Sequence, residues 1–350
     1  MKRRYSKEIH IGNVPVGGNS PITIQSMLNT KTIDIDGSLA QIKELREVGC
    51  DLIRLAVPDE ASAEAFKIIS ERCGLPLIAD VHYSYKLAEL AIKAGAKKLR
   101  MNPGNMSTDA ENIKNLVELL KDYDIPVRIG VNGGSLDKRF KNMSEDDALV
   151  ASALSTADVF EKFGFSNLIV AIKASNVQTM IESNRKLAKV CEYPLHLGVT
   201  EAGTLRSGLV KSAIGIGTLL EEGIGDTIRV SLSAPVVEEV IAGKTILKSL
   251  GLRKSGVEVV SCPTCARTEI DVEGLAEKVE RMTATIERPL KISVMGCPLN
   301  GIGEGEGSDI GIAGGKEKSV LLKNGEIYKT IESKHLMEEF MALLDDVLQN

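Results

Sequence analysis

DLIRLAV (51–57) is a short apolar run, and runs of the same kind recur at PLIADVHY (76–83) and KLRMNPG (98–104). Val, Ile and Leu are almost unbroken in several of these runs, as buried parallel strands require. The intervals between them leave room for one helix each, which is the crossover that a parallel pair needs. The same alternation predicts five more strands, at ITIQSM (22–27), PVRIGVN (126–132), NLIVAIKAS (167–175), LHLGVTEAG (195–203) and TIRVSLS (227–233).

Eight strand–helix units predict a closed (β/α)₈ TIM barrel, a fold of about 250 residues. An open, doubly wound sheet is the alternative for such a pattern. The segment EIHIGNVPVGGN (8–19) precedes the first unit and is typical of a β-hairpin. We expect this hairpin to close the N-terminal end of the barrel.

The pattern changes near residue 254, which predicts a TIM-barrel domain over 1–253 and a compact α+β domain over 254–350. The second domain combines apolar runs, two helical stretches and the glycine-rich GIGEGEGSDIGIAGG (301–315), interpreted as a loop. The glycines do not make a dinucleotide fingerprint, because GIGEGEG is not expected to open a helix and its two acidic residues would repel pyrophosphate.

Composition narrows the function classes. The chain has 350 residues, 43% of them hydrophobic and 26% charged, which is typical of a globular protein. The formal net charge of −5 and an aromatic content of 3% without Trp argue against a nucleic-acid partner. No segment has the ~18 to 20 apolar residues of a membrane span, and the basic N-terminus lacks the apolar run of a signal peptide. We therefore expect a cytoplasmic protein that binds neither nucleic acid nor membrane.

Polar side chains follow the predicted strands, at or near their C-terminal ends, where the active site of a barrel lies. Several arginines and a lysine converging on one mouth favour a substrate with phosphate groups, since guanidinium forks bind phosphate oxygens in pairs. The alternative is that these cations are solvated or paired with nearby acids. Glu201 is the acid chosen as proton donor or acceptor. The candidate substrate-binding residues are Arg54, His82, Arg100, Asn102, Arg128, Asn132, Lys173, His196, Arg229 and Ser231.

Three of the six cysteines lie in one stretch near the C-terminus: Cys262 and Cys265 in a C-x₂-C pair, and Cys297. This spacing favours a metal site, with iron–sulfur preferred over zinc. Three thiolates are one short of a closed tetrahedral site. The residues leave the fourth ligand open, as His335, as Cys191 or as a carboxylate at Glu304 or Glu306.

The chain as a whole resembles the bacterial-type 4-hydroxy-3-methylbut-2-enyl diphosphate synthase family of the non-mevalonate isoprenoid pathway. The resemblance covers essentially the full length, and its most specific part is the pair of cysteine motifs that follows the predicted barrel. The motifs that carry it are IQSM (24–27), VRIGVNGGSL (127–136), VTEAG (199–203), GIGDTIRVSLS (223–233), SCPTCART (261–268) and VMGCPLNGIGEGE (294–306).

This resemblance implies a barrel that binds 2-C-methyl-D-erythritol 2,4-cyclodiphosphate and a C-terminal domain, similar to modules of sulfite and nitrite reductases, that holds a [4Fe–4S] cluster. The implied cluster ligands are Cys262, Cys265, Cys297 and Glu304, and Glu304 is preferred to Glu306 by analogy alone. The implied substrate ligands are Arg54, Arg100, Asn102, Arg128, Asn132, Lys173, Arg229 and Ser231.

The implied reaction is a two-electron reductive ring opening with loss of water, driven by flavodoxin or ferredoxin. In it, Glu304 would give way to the substrate at the cluster, and Glu201 would protonate the departing hydroxyl. The family also implies a head-to-tail homodimer with a shared site. A rival from another class is a zinc knuckle on a barrel that performs aldolase-like or isomerase chemistry on a sugar phosphate; it would be colourless and insensitive to oxygen.

Overall fold

The chain forms two units, Met1–Arg253 and Lys254–Asn350. The computed structural model describes residues 2–82, 84–101, 110–133, 136, 138–140, 142–254 and 256–349. In this part of the chain, none of the helices has both the length and the apolar character needed to span a bilayer.

An antiparallel hairpin of β1 (Ile9–Ile11) and β2 (Val14–Val16) comes first, as predicted. Its apolar side chains share one buried cluster with Leu52, Ile78 and Ile169. These three residues lie at the start of their strands, so the hairpin covers the N-terminal end of the barrel. This leaves the opposite end as the place for a site.

Eight parallel strands form the barrel, and each is followed by a helix. Seven pairs of neighbouring strands join the eight strands into one sheet. A parallel bridge between Val170 and Leu195 then joins the two ends of that sheet. This closure excludes the open doubly wound sheet. The strands are β3 (Thr23–Met27), β4 (Leu52–Ala56), β5 (Leu77–Asp80), β6 (Lys98–Met101), β7 (Val127–Asn132), β8 (Leu168–Lys173), β9 (His196–Leu197) and β10 (Thr227–Ile228).

The last two barrel strands are much shorter than predicted. The loops that follow β9 and β10 leave the sheet and bond to each other, with the backbone N–H of Ser233 donating to the carbonyl of Gly203 at 2.9 Å. The predicted strands at 195–203 and 227–233 therefore end early because their polar second halves form the mouth of the barrel.

The barrel helices begin at residues suited to cap them. Asp34, Asp59, Ser84, Ser144 and Asn176 each accept a hydrogen bond from a backbone N–H in the first turn of the helix that follows. The helices are α1 (Ile35–Glu47), α2 (Glu60–Arg72), α3 (Tyr85–Lys93), α4 (Ala110–Asp122), α5 (Glu145–Lys162), α6 (Val177–Val190), α7 (Leu205–Glu221) and α8 (Val236–Ser249).

The second unit is an α+β domain built on one five-stranded sheet in sequence order. Its first three strands are parallel, and its last three are antiparallel. Its core includes the fully buried Val279, Ile292, Ile312, Leu321 and Phe340. The elements are β11 (Val257–Ser261), α9 (Val272–Thr283), β12 (Leu290–Met295), α10 (Pro298–Gly305), β13 (Ile310–Ala313), β14 (Lys318–Lys323), β15 (Glu326–Glu332) and α11 (Leu336–Gln349).

The prediction of a glycine-rich loop over 301–315 is wrong. The stretch completes α10, which opens at Pro298, and then forms β13. The glycines permit close packing rather than a flexible loop: a Cβ at Gly301 would lie 2.7 Å from the Cβ of Ala313, and one at Gly311 would lie 2.7 Å from Leu322. Composition alone does not distinguish these two uses of glycine.

Candidate functional site

The predicted cations lie at inward positions of the barrel, toward the C-terminal ends of its strands. Arg100 on β6 and Arg128 on β7 are direct neighbours in the strand register. Arg54 occupies β4, and Lys173 is the last residue of β8, opposite Asn132 of β7. All four cations are at least nine-tenths buried. Their convergence is the arrangement that the sequence predicted.

Asp80 is the acid that ties two of these cations together. Its Oδ1 lies 3.1 Å from the Nη1 of Arg100, and its Oδ2 lies 3.6 Å from the Nε of Arg54. Burial alone would raise the pKa of this carboxyl, but Arg54 and Arg100 outweigh it, so the pKa lies below its usual value. His82 is more exposed and lies at the edge of this group, with its Nε2 2.8 Å from the same Nη1. The sequence analysis missed Asp80, although an acid at the end of the buried run PLIAD was a visible signal.

Glu239 forms an ion pair with Arg229, as Asp80 does with the other two arginines. It reaches into the barrel from α8, and its Oε2 lies 3.4 Å from the Nε of Arg229. The same carboxylate accepts hydrogen bonds from the backbone N–H of Leu232 at 3.0 Å and from the hydroxyl of Ser26 at 3.3 Å. Sequence reasoning missed it because a glutamate on an amphipathic helix is usually solvated.

Positive charge still exceeds negative charge at the mouth. Among the described residues that line the mouth, only two carboxylates, those of Asp80 and Glu239, face its cations. The cations are Arg54, Arg100, Arg128, Lys173 and Arg229. The alternative of paired charges therefore holds for three arginines but not for Arg128, whose buried Nε and Nη1 have no hydrogen-bond partner among the described residues. Unpaired buried charge is costly, and an anion bound at the mouth would offset this cost.

The lowered pKa values of the mouth cations reflect the same excess of positive charge. Burial, together with repulsion from Arg229 and Arg100, outweighs the attraction of Asp80 and lowers the pKa of Arg54 to about 10. Burial and the neighbouring guanidiniums lower the pKa values of Arg128 and Lys173 well below their ordinary range. A bound dianion would oppose each of these shifts.

Two glycines make room for the cationic groups, and neither was identified from the sequence. A Cβ at Gly130 would lie 3.2 Å from the Nη2 of Arg128 and 3.3 Å from the Nε of Arg100. A Cβ at Gly198 would lie 2.6 Å from the Nζ of Lys173. Both positions therefore act as a cradle that larger residues would fill.

The remaining predicted barrel residues occupy different depths. Asn132 ends β7 and Ser231 follows β10, both half-buried, whereas Asn102 lies outside the described residues. We expected His196 at the C-terminal end of its strand. It is instead the first residue of β9, where it is fully buried below the mouth. Glu201 is exposed in the loop after β9 with a φ of +52°, a conformation that few non-glycine residues adopt and that tends to cluster at functional sites.

The cysteines of the second unit lie at the C-terminal ends of two neighbouring parallel strands. Cys262 follows β11, and its Sγ accepts a hydrogen bond from the backbone N–H of Gly296 at 3.2 Å. Cys297 follows β12 and occupies the N-cap position of α10. Cys265 is exposed, and the backbone N–H of Arg267 is the main cause of its lowered pKa. The lowered pKa of Cys265 favours its thiolate, which is the form of cysteine that binds iron.

The expected carboxylate ligand is less closely tied to the cysteines. Glu304 is exposed in the last turn of α10 rather than in a loop, seven residues and so roughly 10 Å of helix rise beyond Cys297. In the described part of the chain, no three His, Cys, Asp or Glu side chains come close enough together to hold a metal ion. The donor set therefore fits an iron–sulfur cluster in chemistry, but its side chains are not gathered.

The other candidate fourth ligands have different surroundings. Cys191 belongs to the barrel unit, at the end of α6, where burial raises the pKa of its thiol. His335 precedes α11, and its Nδ1 lies 3.4 Å from the carboxylate of Glu338.

Comparisons with known proteins cover the whole chain. One family profile, described as the GcpE TIM-barrel domain, matches residues 6–244, and another, the GcpE protein C-terminal domain, matches 258–346. The chain is 51% identical over 350 residues to the 4-hydroxy-3-methylbut-2-en-1-yl diphosphate synthase (flavodoxin) of Caldanaerobacter subterraneus subsp. tengcongensis, covering 99% of this chain and 98% of that one. Proteins of the same name from Fusobacterium nucleatum and Clostridium perfringens are 49% and 47% identical, with coverage of at least 99% on both sides.

Solved structures show the fold alone. Dihydropteroate synthase from Stenotrophomonas maltophilia matches with a TM-score of 0.53 and 15% identity, covering 70% of this chain and 98% of that one. The enzyme from Vibrio fischeri ES114 gives 0.51 and 14%, with 70% and 99% coverage. At these identities nothing about chemistry follows.

Proposed function

The chain belongs to the GcpE family, and from that premise we propose that it converts 2-C-methyl-D-erythritol 2,4-cyclodiphosphate to (E)-4-hydroxy-3-methylbut-2-enyl diphosphate. It is an oxidoreductase of isoprenoid biosynthesis by the non-mevalonate pathway. The relatives that carry this enzyme name match over the full length of both chains.

The reaction consumes two electrons and one proton. One C–O bond to the cyclic diphosphate and one C–O bond to a hydroxyl break, a C=C bond forms between the two carbons, and the hydroxyl leaves as water. The cyclic substrate is a dianion, because each phosphorus keeps a single acidic oxygen. The linear product gains a terminal phosphate and one more negative charge. The site must therefore stabilise negative charge that develops on the diphosphate.

The cationic excess at the barrel mouth is the observation that carries this proposal. Arg128 has two buried donor atoms without a partner in the described part of the chain, and the ammonium group of Lys173 occupies space that a side chain at position 198 would fill. In the proposed complex these groups, with Arg54, Arg100 and Arg229, bind the diphosphate. They stabilise its leaving oxygen in the ring-opening transition state, because preorganised donors act most strongly where charge develops.

Glu201 is proposed as the acid that protonates the departing hydroxyl. It lies in a loop at the C-terminal end of the barrel, and its backbone conformation is strained. Such strain is maintained when the surrounding structure over-determines a residue, and here it would hold the carboxyl over the substrate. Asn102, Asn132 and Ser231 are proposed to contact the polar groups of the substrate, with His82 at the edge.

Cys262, Cys265, Cys297 and Glu304 are proposed to hold a [4Fe–4S] cluster, which supplies the two electrons one at a time when it is bound. The support for this assignment is the position of Cys262 and Cys297 after two neighbouring parallel strands, together with the lowered pKa of Cys265. A carboxylate as fourth ligand leaves one iron with a weaker bond than a thiolate would provide.

Flavodoxin is the proposed electron donor, in preference to ferredoxin, because the enzyme name of the relatives specifies it. We also propose a head-to-tail homodimer in which the cluster domain of one chain serves the barrel of its partner.

Anaerobic purification tests the proposal first. We expect about four irons and four sulfides per chain, a brown absorption spectrum, and consumption of the cyclodiphosphate with reduced flavodoxin. A colourless protein with one tightly bound zinc, which cannot be reconstituted with iron and sulfide, would overturn the assignment and favour the sugar-phosphate barrel.

A further inference from the structure

A second polar layer lies beneath the barrel mouth. We call it the polar floor, and it consists of Gln25, Lys98, His196 and Thr227, all of them almost completely buried. Lys98 reaches across the barrel from β6 to β3, where its Nζ donates to the Oε1 of Gln25 at 3.1 Å. The Nδ1 of His196 lies 3.4 Å from the hydroxyl of Thr227.

Lys98 belongs to this floor and not to the mouth. It precedes Arg100 by two residues on β6, so both side chains point inward, with Lys98 about 6.6 Å farther from the C-terminal end of the strand. Lys98 is fully buried, whereas Arg100 is 7% exposed. A substrate bound by Arg100 and Arg128 would therefore lie above Lys98.

The charges around Lys98 oppose its protonation in the free enzyme. Burial, followed by repulsion from Arg128 and Arg54, lowers its pKa well below the ordinary value. Asp80 does not compensate, because its carboxylate is engaged by Arg54 and Arg100. The groups that face the floor from the other strands are Gln25 of β3, Arg54 of β4, Asp80 of β5, Arg128 of β7, Lys173 of β8, His196 of β9 and Thr227 of β10.

A diphosphate dianion bound at the mouth would reverse this balance. It would neutralise the guanidiniums that repel a second cation and place negative charge above the floor. Lys98 already has an acceptor for its ammonium form in Gln25, whereas the Nε2 of His196 has no hydrogen-bond partner within the residues that the structure describes. Lys98 is therefore the floor residue best placed to hold an added proton.

We propose that Lys98 is a positioning residue that takes up a proton from solvent when the cyclic diphosphate binds, so that a buried ammonium group lies beneath the arginines before the ring opens. This inference rests on the proposed function. The role of Lys98 is to add one positive charge below a diphosphate that gains one negative charge during the reaction.

Proton uptake by Lys98 determines the direction in which the affinity for the cyclodiphosphate changes with pH. Lys98 would bind a proton at pH values between its low pKa in the free enzyme and its higher pKa in the complex. In that window the affinity for the cyclodiphosphate falls as pH rises, by up to about tenfold per pH unit for one proton. The substrate does not contribute, because its phosphorus oxygens are strongly acidic and stay ionised throughout.

Isothermal titration calorimetry on the anaerobic, cluster-loaded enzyme tests the inference. The cyclodiphosphate is titrated without an electron donor, at pH 8, in buffers of different ionisation enthalpy, which gives the number of protons taken up. We expect net uptake by the wild-type enzyme, and a count lower by up to one proton in Lys98→Met.

Lys98→Arg separates charge from structure, because arginine stays protonated. It should lose the same proton uptake as Lys98→Met, retain affinity at pH 7, and bind with a shallower pH dependence than the wild type. If both variants keep the wild-type proton count, Lys98 is merely structural and the inference fails, as it does if the wild type takes up no proton. Absence of any binding of the cyclodiphosphate would instead overturn the proposed function.

Discussion

The barrel mouth and the cysteine site differ in how completely the protein builds them. At the mouth, the cations are buried, two carboxylates orient three of the arginines, and Gly130 and Gly198 leave defined space. At the cysteine site, Cys265 and Glu304 are exposed, and the described side chains do not form a metal-binding group.

The difference indicates two sources of order. The mouth is preorganised by the polypeptide, as transition-state stabilisation by fixed charges requires. The cysteine site supplies three thiols and would acquire its final geometry from the metal, because metal binding couples to the folding of its ligands. Removing a ligand should therefore abolish the second site, whereas altering the mouth should weaken the first in graded steps.

Cys297→Ala is expected to have the largest effect. With only two thiolates left in this stretch, we expect iron content near zero and a loss of activity by at least roughly a thousandfold. The barrel should still bind the cyclodiphosphate in calorimetry, because its cations are placed by its own strands.

Cys191→Ser is the matched control, since Cys191 lies in the barrel unit. It should keep about four irons per chain and wild-type turnover. Loss of iron in this variant, with retention in Glu304→Ala, would make Cys191 the fourth ligand and contradict the assignment of Glu304.

Arg128→Met should have the next largest effect, and it should move binding and stability in opposite directions. Losing a charged donor to the diphosphate is expected to lower kcat/KM about a hundredfold, since hydrogen bonds to charged groups contribute about 1.5–3 kcal/mol each. The free enzyme should become more stable, because the variant removes a buried charge with unpartnered donor atoms.

Arg72→Met, on the exposed last turn of α2, is the control for loss of one positive charge. It should leave kcat/KM and the unfolding temperature close to their wild-type values. A less stable Arg128→Met enzyme would mean that Arg128 is satisfied in the free protein, and the mouth would then not be charged in advance for an anion.

Gly130→Ala tests the cradle at a smaller scale. The new methyl group would press on the guanidiniums of Arg100 and Arg128, and a displacement of a few tenths of an ångström should lower kcat/KM about tenfold. Gly217→Ala is the matched control, because nothing lies within 4 Å of its Cβ position on α7. That substitution should stabilise the helix by about 0.5–1 kcal/mol without affecting catalysis. Equal kinetics for both variants would argue against the cradle.

The barrel could be predicted from the sequence because its strands are long enough to show a continuous apolar pattern. The exceptions are β9 and β10, where two-residue strands run on into polar loops that carry the same β-rich composition. The helix α10 was missed for a related reason: glycines such as Gly301 serve packing against Ala313, a contact that only the fold reveals.

The convergence of cations at the mouth could be predicted from the sequence, whereas the carboxylates that pair with them could not. Arginines within buried strand runs are unusual, so they are visible in the sequence. Glu239 comes from a helix more than two hundred residues after Ser26, which it also contacts, and only barrel closure brings them together. The proton-donating role of Glu201 and the ligand role of Glu304 remain predictions, since they depend on groups that bind to the protein.

The smallest expected effect is a rise in stability with pH. In the free enzyme, burial is the main cause of the lowered pKa values of Lys98 and Lys173. Between each lowered value and the ordinary value of about 10.4, the unfolded chain binds more protons than the folded one, so unfolding becomes less favourable as pH rises. The pKa of Asp80 is also lowered, so its contribution to stability also rises with pH. This rise is confined to acidic pH, because the contribution is complete above about pH 4.

Thermal unfolding followed by circular dichroism at pH 7 and pH 9 measures this dependence. We expect the midpoint of the barrel transition to rise by about 2–4 °C more in the wild type than in Lys98→Met, which corresponds to roughly 1 kcal/mol. Inorganic pyrophosphate should reduce the rise, because an anion at the mouth favours the protonated lysines in the folded state. Equal slopes in both proteins, with and without pyrophosphate, would show that the mouth and its floor are already neutralised. The contrast between a barrel charged in advance and a cysteine site ordered by its metal would then be lost.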